Sequence, residues 1–357
     1  MIFLTFTSYL SASDTAYYQP AMTTYLPDKN FLTLEAEQKN FPKYNFNNQT
    51  TENSNSSLNK EKYINLFYLS PKLLGSRIIF VMKRDGASGI NANWNGTVSR
   101  KTANAFKLTN DIMQLGITKE FSKLTLFAGM QRVYKKAYTN AFPTVGITIL
   151  TNKAEGEAYG SILGASYRFK KYLFASLNYH SKVDVTLKGS NYSDLGTTTA
   201  QAVLTHPAKL DASIFLYTSK DALWLLGAEK KFWSAYQELD IDYGNALEGS
   251  AGVAIEKNWK DIMIYSFGHE HTFGNYKLLT LLAIGEDPSP DDTREFGTPF
   301  GRFTAYIFKN SYNLNKDLTL SLGYKHVDFE TTYSSSLNGS FSTSGMNIFD
   351  IALQVSF

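Results

Sequence analysis

The sequence predicts an all-β fold, a transmembrane antiparallel up-and-down β-barrel, and three observations support this class. Apolar and polar residues alternate over long stretches, as in strands with one apolar and one polar face. These stretches number about fourteen, an even number typical of single-chain bacterial barrels. Short polar turns alternate with long loops rich in Gly, Asn, Ser and Thr, which is the pattern of outer-membrane barrels.

The composition fits this class. The 357 residues are 15% aromatic, with 23 Tyr and 25 Phe, as expected for aromatic girdles at a membrane surface. There is no cysteine, which excludes a disulfide framework, a thiolate metal site and a cysteine nucleophile. The net charge of +3 is too small to indicate a nucleic-acid partner. No apolar run approaches the ~18 residues of a transmembrane helix.

The chain begins with MIFLTFTSYLSAS, a short apolar stretch without a positively charged region before it. This is a poor match to a signal peptide. Two explanations stay open: the start is misplaced, or the segment belongs to the mature protein.

Six strands are predicted in the first half of the barrel, each an alternating stretch bounded by turn residues. Their residues are 31–41, 63–72, 76–86, 106–121, 123–137 and 157–169.

The next stretch, LFASLNYHSKVDVTLKGS, has the clearest alternation. Its apolar register holds Leu173, Ala175, Leu177, Tyr179, Val183, Val185 and Leu187. Its polar register includes His180, Lys182 and Asp184. One long strand is therefore predicted, well beyond the ~5–6 residues usual in soluble sheets.

Seven further strands complete the predicted barrel. They cover residues 209–220, 222–244, 261–273, 277–287, 301–314, 318–333 and the terminal stretch 347–357. In the last strand, Phe349, Ile351, Leu353, Val355 and Phe357 are predicted to face lipid, with Asp350, Gln354 and Ser356 toward the lumen. It must pair with the first strand, because an unpaired edge is untenable in lipid.

The long loops are predicted at residues 42–62, 87–104, 138–156, 189–208, 245–260, 286–300 and 334–345. They would be extracellular if the chain enters and leaves at the periplasm. A soluble propeller or sandwich is the alternative fold, but its strands are shorter and both faces of its sheets meet a core or water.

Several segments, in order, resemble the FadL/TodX family of outer-membrane transporters for long-chain fatty acids and aromatic hydrocarbons. Gln19, Pro20 and Ala21 resemble the family's Asn-Pro-Ala segment, with Gln in place of Asn. Trp233 and Ser234 match a Trp-Ser in a later hairpin. Residues 257–327 resemble a run with Trp-Lys-Asp at 259–261, a Pro-Ser-Pro loop at 288–290, then Pro299 and Arg302.

The resemblance implies a fourteen-stranded barrel at residues 31–357, plugged by an amino-terminal hatch at residues 1–30. It further implies capture of a hydrophobic molecule at extracellular loops and lateral exit at a kink in the third strand, without cofactor or energy source. Two departures bear on this. Only 18 residues precede Gln19, so the hatch is short, and the third strand, SRIIFVMKRDG, has no Pro or Gly before its end to explain a kink.

A lipid carboxylate needs a cation beside an apolar slot, and six residues are candidates on the predicted lumen face. They are His180, Lys182, Lys325, Arg302, Arg77 and Lys83. The alternative for each is a solvated lumen charge paired with a carboxylate such as Asp184, Glu238 or Asp240.

Two other interpretations, a metal site and a hydrolase, have less support in the sequence than a lipid-binding lumen. His269 and His271 in GHEHTF share a strand face, but no third metal ligand is apparent, and an interfacial position beside Phe267 fits them better. No Gly-x-Ser-x-Gly elbow supports a hydrolase, so no enzyme activity is predicted.

The predicted function is passive outer-membrane transport of fatty acids or hydrocarbons. The apolar stretches at 101–107 and 139–150 suit a capture groove, or loops that pack on each other. A general diffusion porin or a loop-based adhesin is the alternative function. The expected partners are the hydrophobic molecule, outer-membrane lipid and the barrel assembly machinery, which would recognise Phe357; a monomer is expected.

Overall fold

A computed structural model describes residues 19–48, 53–56, 59–84, 91–94, 105–141, 150–193, 196–242 and 253–357. These residues form 23 strands and two short 3₁₀ turns, Pro20–Tyr25 and Trp233–Ala235. The strands of the first half are β1 (Phe31–Asn40), β2 (Tyr44–Asn48), β3 (Asn53–Asn55), β4 (Lys60–Leu69), β5 (Ser76–Arg84), β6 (Asn91–Asn93), β7 (Ala105–Phe121), β8 (Leu124–Ala141), β9 (Leu150–Lys170), β10 (Leu173–His180) and β11 (Val183–Ser193). Those of the second half are β12 (Gly196–His206), β13 (Lys209–Tyr217), β14 (Ala222–Lys231), β15 (Glu238–Asp242), β16 (Val253–Glu256), β17 (Ile262–Phe273), β18 (Tyr276–Gly285), β19 (Phe303–Asn313), β20 (Leu318–Phe329), β21 (Thr332–Ser334), β22 (Gly339–Thr343) and β23 (Met346–Ser356).

The wall is a closed antiparallel barrel of fourteen strands, as predicted. It runs through β1, β4, β5, β7, β8 and β9, continues through four strands that each consist of two segments, and ends with β18, β19, β20 and β23. Closure joins β1 to β23 over ten residue pairs, from Phe31↔Ser356 to Asn40↔Asn347. The predicted pairing of the first and last strands is therefore confirmed.

The alternation of the last strand is also confirmed. Phe349, Ile351 and Leu353 are exposed on the outer face, whereas Ala352 is buried. Outward apolar side chains continue around the barrel, where lipid covers them, because a membrane barrel presents its apolar face to hydrocarbon. Among the described residues, no helix is long and apolar enough to cross a membrane.

The long strand predicted at 173–190 is two segments, β10 and β11, and its alternation changes phase between them. His180 and Val183 are both buried although they are three positions apart. The alternation of the neighbouring wall strand, formed by β12 and β13, also changes phase, because His206 and Lys209 are both buried. Neighbouring strands must shift together, because facing side chains share a face of the sheet.

Four adjacent wall strands break at the same level. The Cα partners His180, Lys209, Lys231 and Ile262 form one rung across β10, β13, β14 and β17. Each strand is interrupted directly on the extracellular side of this rung and resumes as β11, β12, β15 or β16. We call the rung and these interruptions the break line.

The extracellular end carries a small four-stranded sheet of β21, β22, β2 and β3. Phe46, Phe341 and Trp94 pack around Phe296 there, with ring centroids 4.8 to 5.9 Å apart. This aromatic core lies at the extracellular end and belongs to a larger cluster of buried apolar residues. The amino-terminal 3₁₀ turn lies inside the barrel and contacts the wall strands β5, β7, β8, β9 and β10.

Candidate functional site

An aromatic cavity lies at the extracellular end, next to the second 3₁₀ turn. Trp233 and Trp259 meet edge to face with ring centroids 4.8 Å apart, and Tyr236 lies 5.1 Å from Trp259. The turn that positions Trp233 is held by Asp261, whose Oδ1 accepts from the Ser234 backbone N–H at 3.0 Å. The cavity volume is about 60 Å³, well below the ~150 Å³ that holds benzene in an engineered core. A ligand must therefore displace side chains to enter.

Polar groups are few in this cavity. Lys135 of β8 borders it, as does Lys257, which is ion-paired with Glu295. The indole N–H of Trp259 is buried and finds no acceptor among the described residues. An apolar wall with a few converging polar groups is the usual form of a small-molecule site.

The loop between β18 and β19 closes one side of the cavity and is folded around Arg294. The Arg294 guanidinium contacts Asp287 Oδ2 at 2.6 Å and donates to the carbonyls of Ser289 and Tyr333 at 2.6 and 3.1 Å. Burial raises the pKa of Asp287, and the charge of Arg294 offsets part of this rise. This buried fork fixes Glu295 and Thr298 at the cavity.

One apolar cluster extends from the cavity into the lumen. It joins Trp233, Trp259 and Phe296 to inward side chains of the wall, namely Phe215, Leu225, Ile264, Leu281, Ala305, Ile307 and Ile348. The opposite side of the lumen, on β1, β4, β7, β8 and β10, buries polar side chains such as Glu35, Asn65, Gln114, Gln131 and Asn178. The lumen thus has one apolar and one polar side.

Charged side chains are buried along the break line. Lys209 Nζ lies 3.0 Å from Asp211 Oδ2 and 3.3 Å from Glu229 Oε2, and Lys231 Nζ lies 3.2 Å from Glu229 Oε1. His180, a predicted candidate, belongs to this group: its Nδ1 is 3.5 Å from Gln131 Oε1 and its Nε2 is 3.8 Å from Asp211 Oδ2. His180 therefore faces the lumen as predicted, within a network of internal pairs.

A second charged group lies on the polar side of the lumen. The carboxylate of Glu37 on β1 is surrounded by the charges of Lys83, Lys39 and Lys325 and accepts a hydrogen bond from the Tyr63 hydroxyl. Lys83 and Lys325, both predicted candidates, thus face the lumen and meet at one carboxylate.

The third wall strand, β5, is joined to β4 by a short ladder, and we call the region beyond this ladder the parting of β4 and β5. The ladder between them holds four residue pairs, from Leu69↔Ile79 to Leu66↔Met82. Beyond it, β4 continues to Lys60 in its ladder with β1, and no further pair with β5 is found among the described residues. Two polar contacts cross the parting: the Arg84 backbone N–H donates to Asn65 Oδ1 at 3.1 Å, and Lys107 Nζ lies 3.0 Å from Glu61 Oε1.

Three of the six predicted cations do not offer a charge to the lumen space. The prediction for Lys182 is wrong, because the phase change turns its side chain outward, where Nζ pairs with Asp184 Oδ2 at 2.7 Å. The prediction for Arg302 is also wrong, because this residue shares the outward register of Tyr306 and is exposed. Arg77 is buried inside, but its guanidinium donates to the carbonyls of Ser70, Leu26 and Pro27 at 3.0, 2.9 and 2.5 Å.

The predicted hatch motif is firmly attached to the wall. Gln19 Oε1 accepts hydrogen bonds from Ser176 Oγ and Asn178 Nδ2, and its Nε2 donates to Ser213 Oγ at 3.1 Å. Pro20 opens the 3₁₀ turn, where its fixed φ is tolerated. The Ala21 carbonyl accepts from Ser166 Oγ at 3.1 Å. Residues 1–18 of the predicted hatch lie outside the described residues.

The remaining predictions concern the two neighbouring histidines, the terminal phenylalanine and the capture loops. His269 and His271 lie on the outer face, with ring centroids 4.3 Å from Trp224 and 4.2 Å from Phe273, as an interfacial position requires. The Phe357 side chain is exposed, and its backbone N–H and carbonyl pair with Asn30 at 3.2 and 2.9 Å. Most of the predicted capture stretches, residues 101–104 and 142–149, lie outside the described residues.

Sequence reasoning missed Glu37, Lys135, Lys209, Asp211, Glu229 and Lys231. Their signal was present for β13, where Lys209, Asp211 and Ser213 alternate with Leu210, Ala212 and Ile214. It was hidden in the Glu229–Lys231 run, because Lys230 lies between the two lumen charges in the outward register.

A family model described as outer membrane protein transport protein (OMPP1/FadL/TodX) matches residues 92–348. A comparison with curated proteins finds no match. A FadL homologue from Pseudomonas aeruginosa superposes with a TM-score of 0.83 at 12% identity, covering 96% of this chain and 94% of the homologue. The toluene transporter TbuX of Ralstonia pickettii gives 0.73 at 13% identity, covering 97% and 94%. The toluene transporter TodX of Pseudomonas putida gives 0.73 at 14% identity, covering 98% and 94%.

These structural likenesses support the fold, and the family match covers well over half of the chain. The family also fixes the location of the fourteen-stranded barrel in the outer membrane. The chain belongs to the OMPP1/FadL/TodX family of outer-membrane transport proteins.

Proposed function

We propose that this protein carries hydrophobic small molecules, long-chain fatty acids or hydrocarbons, passively through the outer membrane. The observation that carries the proposal is the single apolar cluster that extends from the aromatic cavity at the extracellular end into the lumen. Contact with such a lining stabilises an apolar molecule by about 25 cal/mol per Å² of apolar surface removed from water.

Capture takes place at the aromatic cavity. Trp233, Tyr236 and Trp259 offer apolar faces to an alkyl chain or a ring. Lys135 and the Trp259 indole N–H supply a cation and a donor for a carboxylate. The cavity must widen, since its volume is smaller than the one that takes benzene.

Passage requires the hatch segment, proposed as residues 1–30, to move. Gln19 and Ala21 hold it across the lumen by hydrogen bonds to β9, β10 and β13. A segment anchored across the lumen favours a gated transporter over a general diffusion porin. Arg77 links the end of the hatch to β5, so a hatch displacement acts directly on the strand that borders the parting.

Exit is proposed through the parting of β4 and β5. A molecule that leaves there enters the membrane sideways without crossing the polar end of the barrel. Two polar contacts cross the parting, the Arg84–Asn65 and Lys107–Glu61 pairs, and both are reversible. The barrel would act as a monomer, inserted by the assembly machinery that recognises its terminal Phe357.

Uptake of labelled oleate, hexadecane and toluene by cells that lack the gene tests the proposal. The wild-type gene should restore uptake of at least one of them, and the Trp259→Ala variant should restore less. Because the chain has no cysteine, an Asn65→Cys/Lys83→Cys variant allows a clean reversible cross-link over the parting. Cross-linking should stop uptake, and reduction should restore it. Unchanged uptake of all three substrates in the deletion strain, or a steady ion conductance typical of an open porin, would contradict the proposal.

A further inference from the structure

An amphipathic cleft opens on the outer surface of the barrel, and we call it the outer cleft. It lies across β4, β5, β7 and β8 and has a volume of about 650 Å³. Its outward side chains alternate with buried lumen residues, since Ile64 and Met82 are 67% and 41% exposed whereas Asn65 and Val81 are fully buried. The cleft therefore faces the membrane, whereas the aromatic cavity lies inside the barrel.

The lower half of the outer cleft is apolar. Ile64, Met82 and Met113 line it, and the same strands continue toward the periplasm with exposed Leu115, Ile117, Leu126 and Met130. Hydrocarbon chains of membrane lipid cover this part of the wall.

The upper half of the outer cleft is cationic. Its outward lining holds the cations Lys62, Arg84 and Arg132 but a single carboxylate, Asp111. Arg84 is bound to Asp111 by Nε and Nη2 at 2.6 and 2.9 Å, and Arg132 Nε donates to Glu157 of β9 at 2.8 Å. These pairs fix the two guanidinium groups in the outward register. Lys62 has no ion pair or hydrogen bond to any described residue.

The change from apolar to cationic side chains marks the outer edge of the hydrocarbon layer. Lys136 and Tyr134 continue the polar zone above it on β8. Lipid headgroups lie at this level, and basic clusters at a membrane surface recognise anionic lipids. Arginine in particular matches phosphate, because its planar fork donates two parallel hydrogen bonds.

We propose that the outer cleft binds a phosphorylated lipid of the outer leaflet. Its phosphate lies among Lys62, Arg84 and Arg132, and an acyl chain lies along Ile64, Met82 and Met113. The cleft borders the parting of β4 and β5, so the bound lipid covers the outer mouth of this parting. The proposal needs only the barrel in its membrane and not the transport of any particular substrate.

Native mass spectrometry of the purified full-length barrel tests the proposal with four probes. They are lipid A with two phosphates, the same lipid after removal of both phosphates, inorganic phosphate and oleate. The test variant is Lys62→Gln/Arg132→Gln. The control is Lys119→Gln/Lys170→Gln, which removes two cations at the periplasmic edge of the same wall.

We expect phosphorylated lipid A to bind wild type and control equally. The test variant should bind it about 30-fold more weakly, because each cation at a headgroup contributes roughly a factor of five. Equal binding by the test variant, or of the dephosphorylated lipid, would overturn the proposal. Competition by inorganic phosphate would also overturn it, because it indicates a plain anion site. Competition by oleate would do so as well, because it indicates the exit mouth alone. A lipid-free dimer that the test variant abolishes would likewise overturn the proposal.

Discussion

Gln19 Nε2 donates to Ser213 Oγ at 3.1 Å, and this bond joins the amino-terminal segment to a wall strand 194 residues away. With the two bonds that Gln19 Oε1 accepts from β10, one side chain holds the segment across the lumen.

The first prediction concerns this anchor. Gln19→Ala removes three hydrogen bonds worth about 1 kcal/mol each, so the hatch should detach more often. We expect a several-fold rise in the passage of a polar antibiotic through the outer membrane. Ser213→Ala, which removes one bond, is the control and should give a much smaller rise. Equal permeability of Gln19→Ala and wild type would show that the segment does not close the lumen.

The second prediction concerns the aromatic cavity. Trp259→Ala removes a buried indole that packs against Trp233 and Tyr236, and truncation of a buried Trp costs about 3–5 kcal/mol. Uptake of the preferred substrate should fall at least ten-fold at low concentration, provided that the barrel level is unchanged. Trp224→Ala on the outer face is the matched control and should leave uptake intact.

The third prediction concerns the tight approach of β9 and β11. A Cβ on Gly156 would lie 2.0 Å from the Thr186 carbonyl oxygen, so Gly156→Val must displace one strand. We expect a loss of about 1–3 kcal/mol, as for other overpacked sites, measured by urea unfolding in detergent. Ser161→Val, on the outward face of the same strand, should change the free energy of unfolding by far less.

The fourth prediction concerns the terminal residue. Phe357→Asp places a charge on an exposed side chain at the end of the last wall strand, so assembly should suffer more than transport per barrel. Quantitative immunoblots of outer-membrane fractions measure assembly, and uptake divided by the amount of barrel measures transport. Phe357→Trp should assemble normally. Wild-type levels of the Asp variant would refute the role of Phe357 as an insertion signal.

The fifth prediction concerns pH. Lys29 Nζ lies 2.6 Å from Asp317 Oδ1 in a periplasmic turn, and this hydrogen bond and charge lower the pKa of Asp317. A depressed pKa means that the pair is intact above the ordinary carboxyl range and is lost only as the pH falls through the lowered value. Hydrogen exchange at residues 27–30 should therefore stay slow at mildly acidic pH. In Asp317→Asn it should be faster at every pH above the lowered pKa.

The fold could be predicted from the sequence because lipid imposes a strict rule on every wall strand. Outward residues within the hydrocarbon layer must be apolar, so Phe349, Ile351 and Leu353 could be assigned to the outer face from their spacing. The rule says nothing about a break within a strand. Ser181 and Lys182 carry no Gly or Pro signal, so the phase change that turns Lys182 outward could not be seen.

The site could be predicted only in part, for a related reason. Alternation identifies lumen residues such as Lys83 and Lys325, but their meeting at Glu37 depends on the closure of β1 against β23, which is a long-range contact. The aromatic cavity combines residues of six separate stretches of the chain, and no local pattern links Trp233 to Thr298.

The break line has a mechanical consequence. Below the rung of His180, Lys209, Lys231 and Ile262, backbone hydrogen bonds tie each of these four strands to both neighbours. Above it, the same four strands begin new ladders, and β11 pairs there with the continuous strand β9. Leu204, Thr205 and Leu239, on the panel above the rung, line the aromatic cavity. A movement of this panel about its ladder with β9 would change the volume of the cavity and leave the ladders below the rung paired.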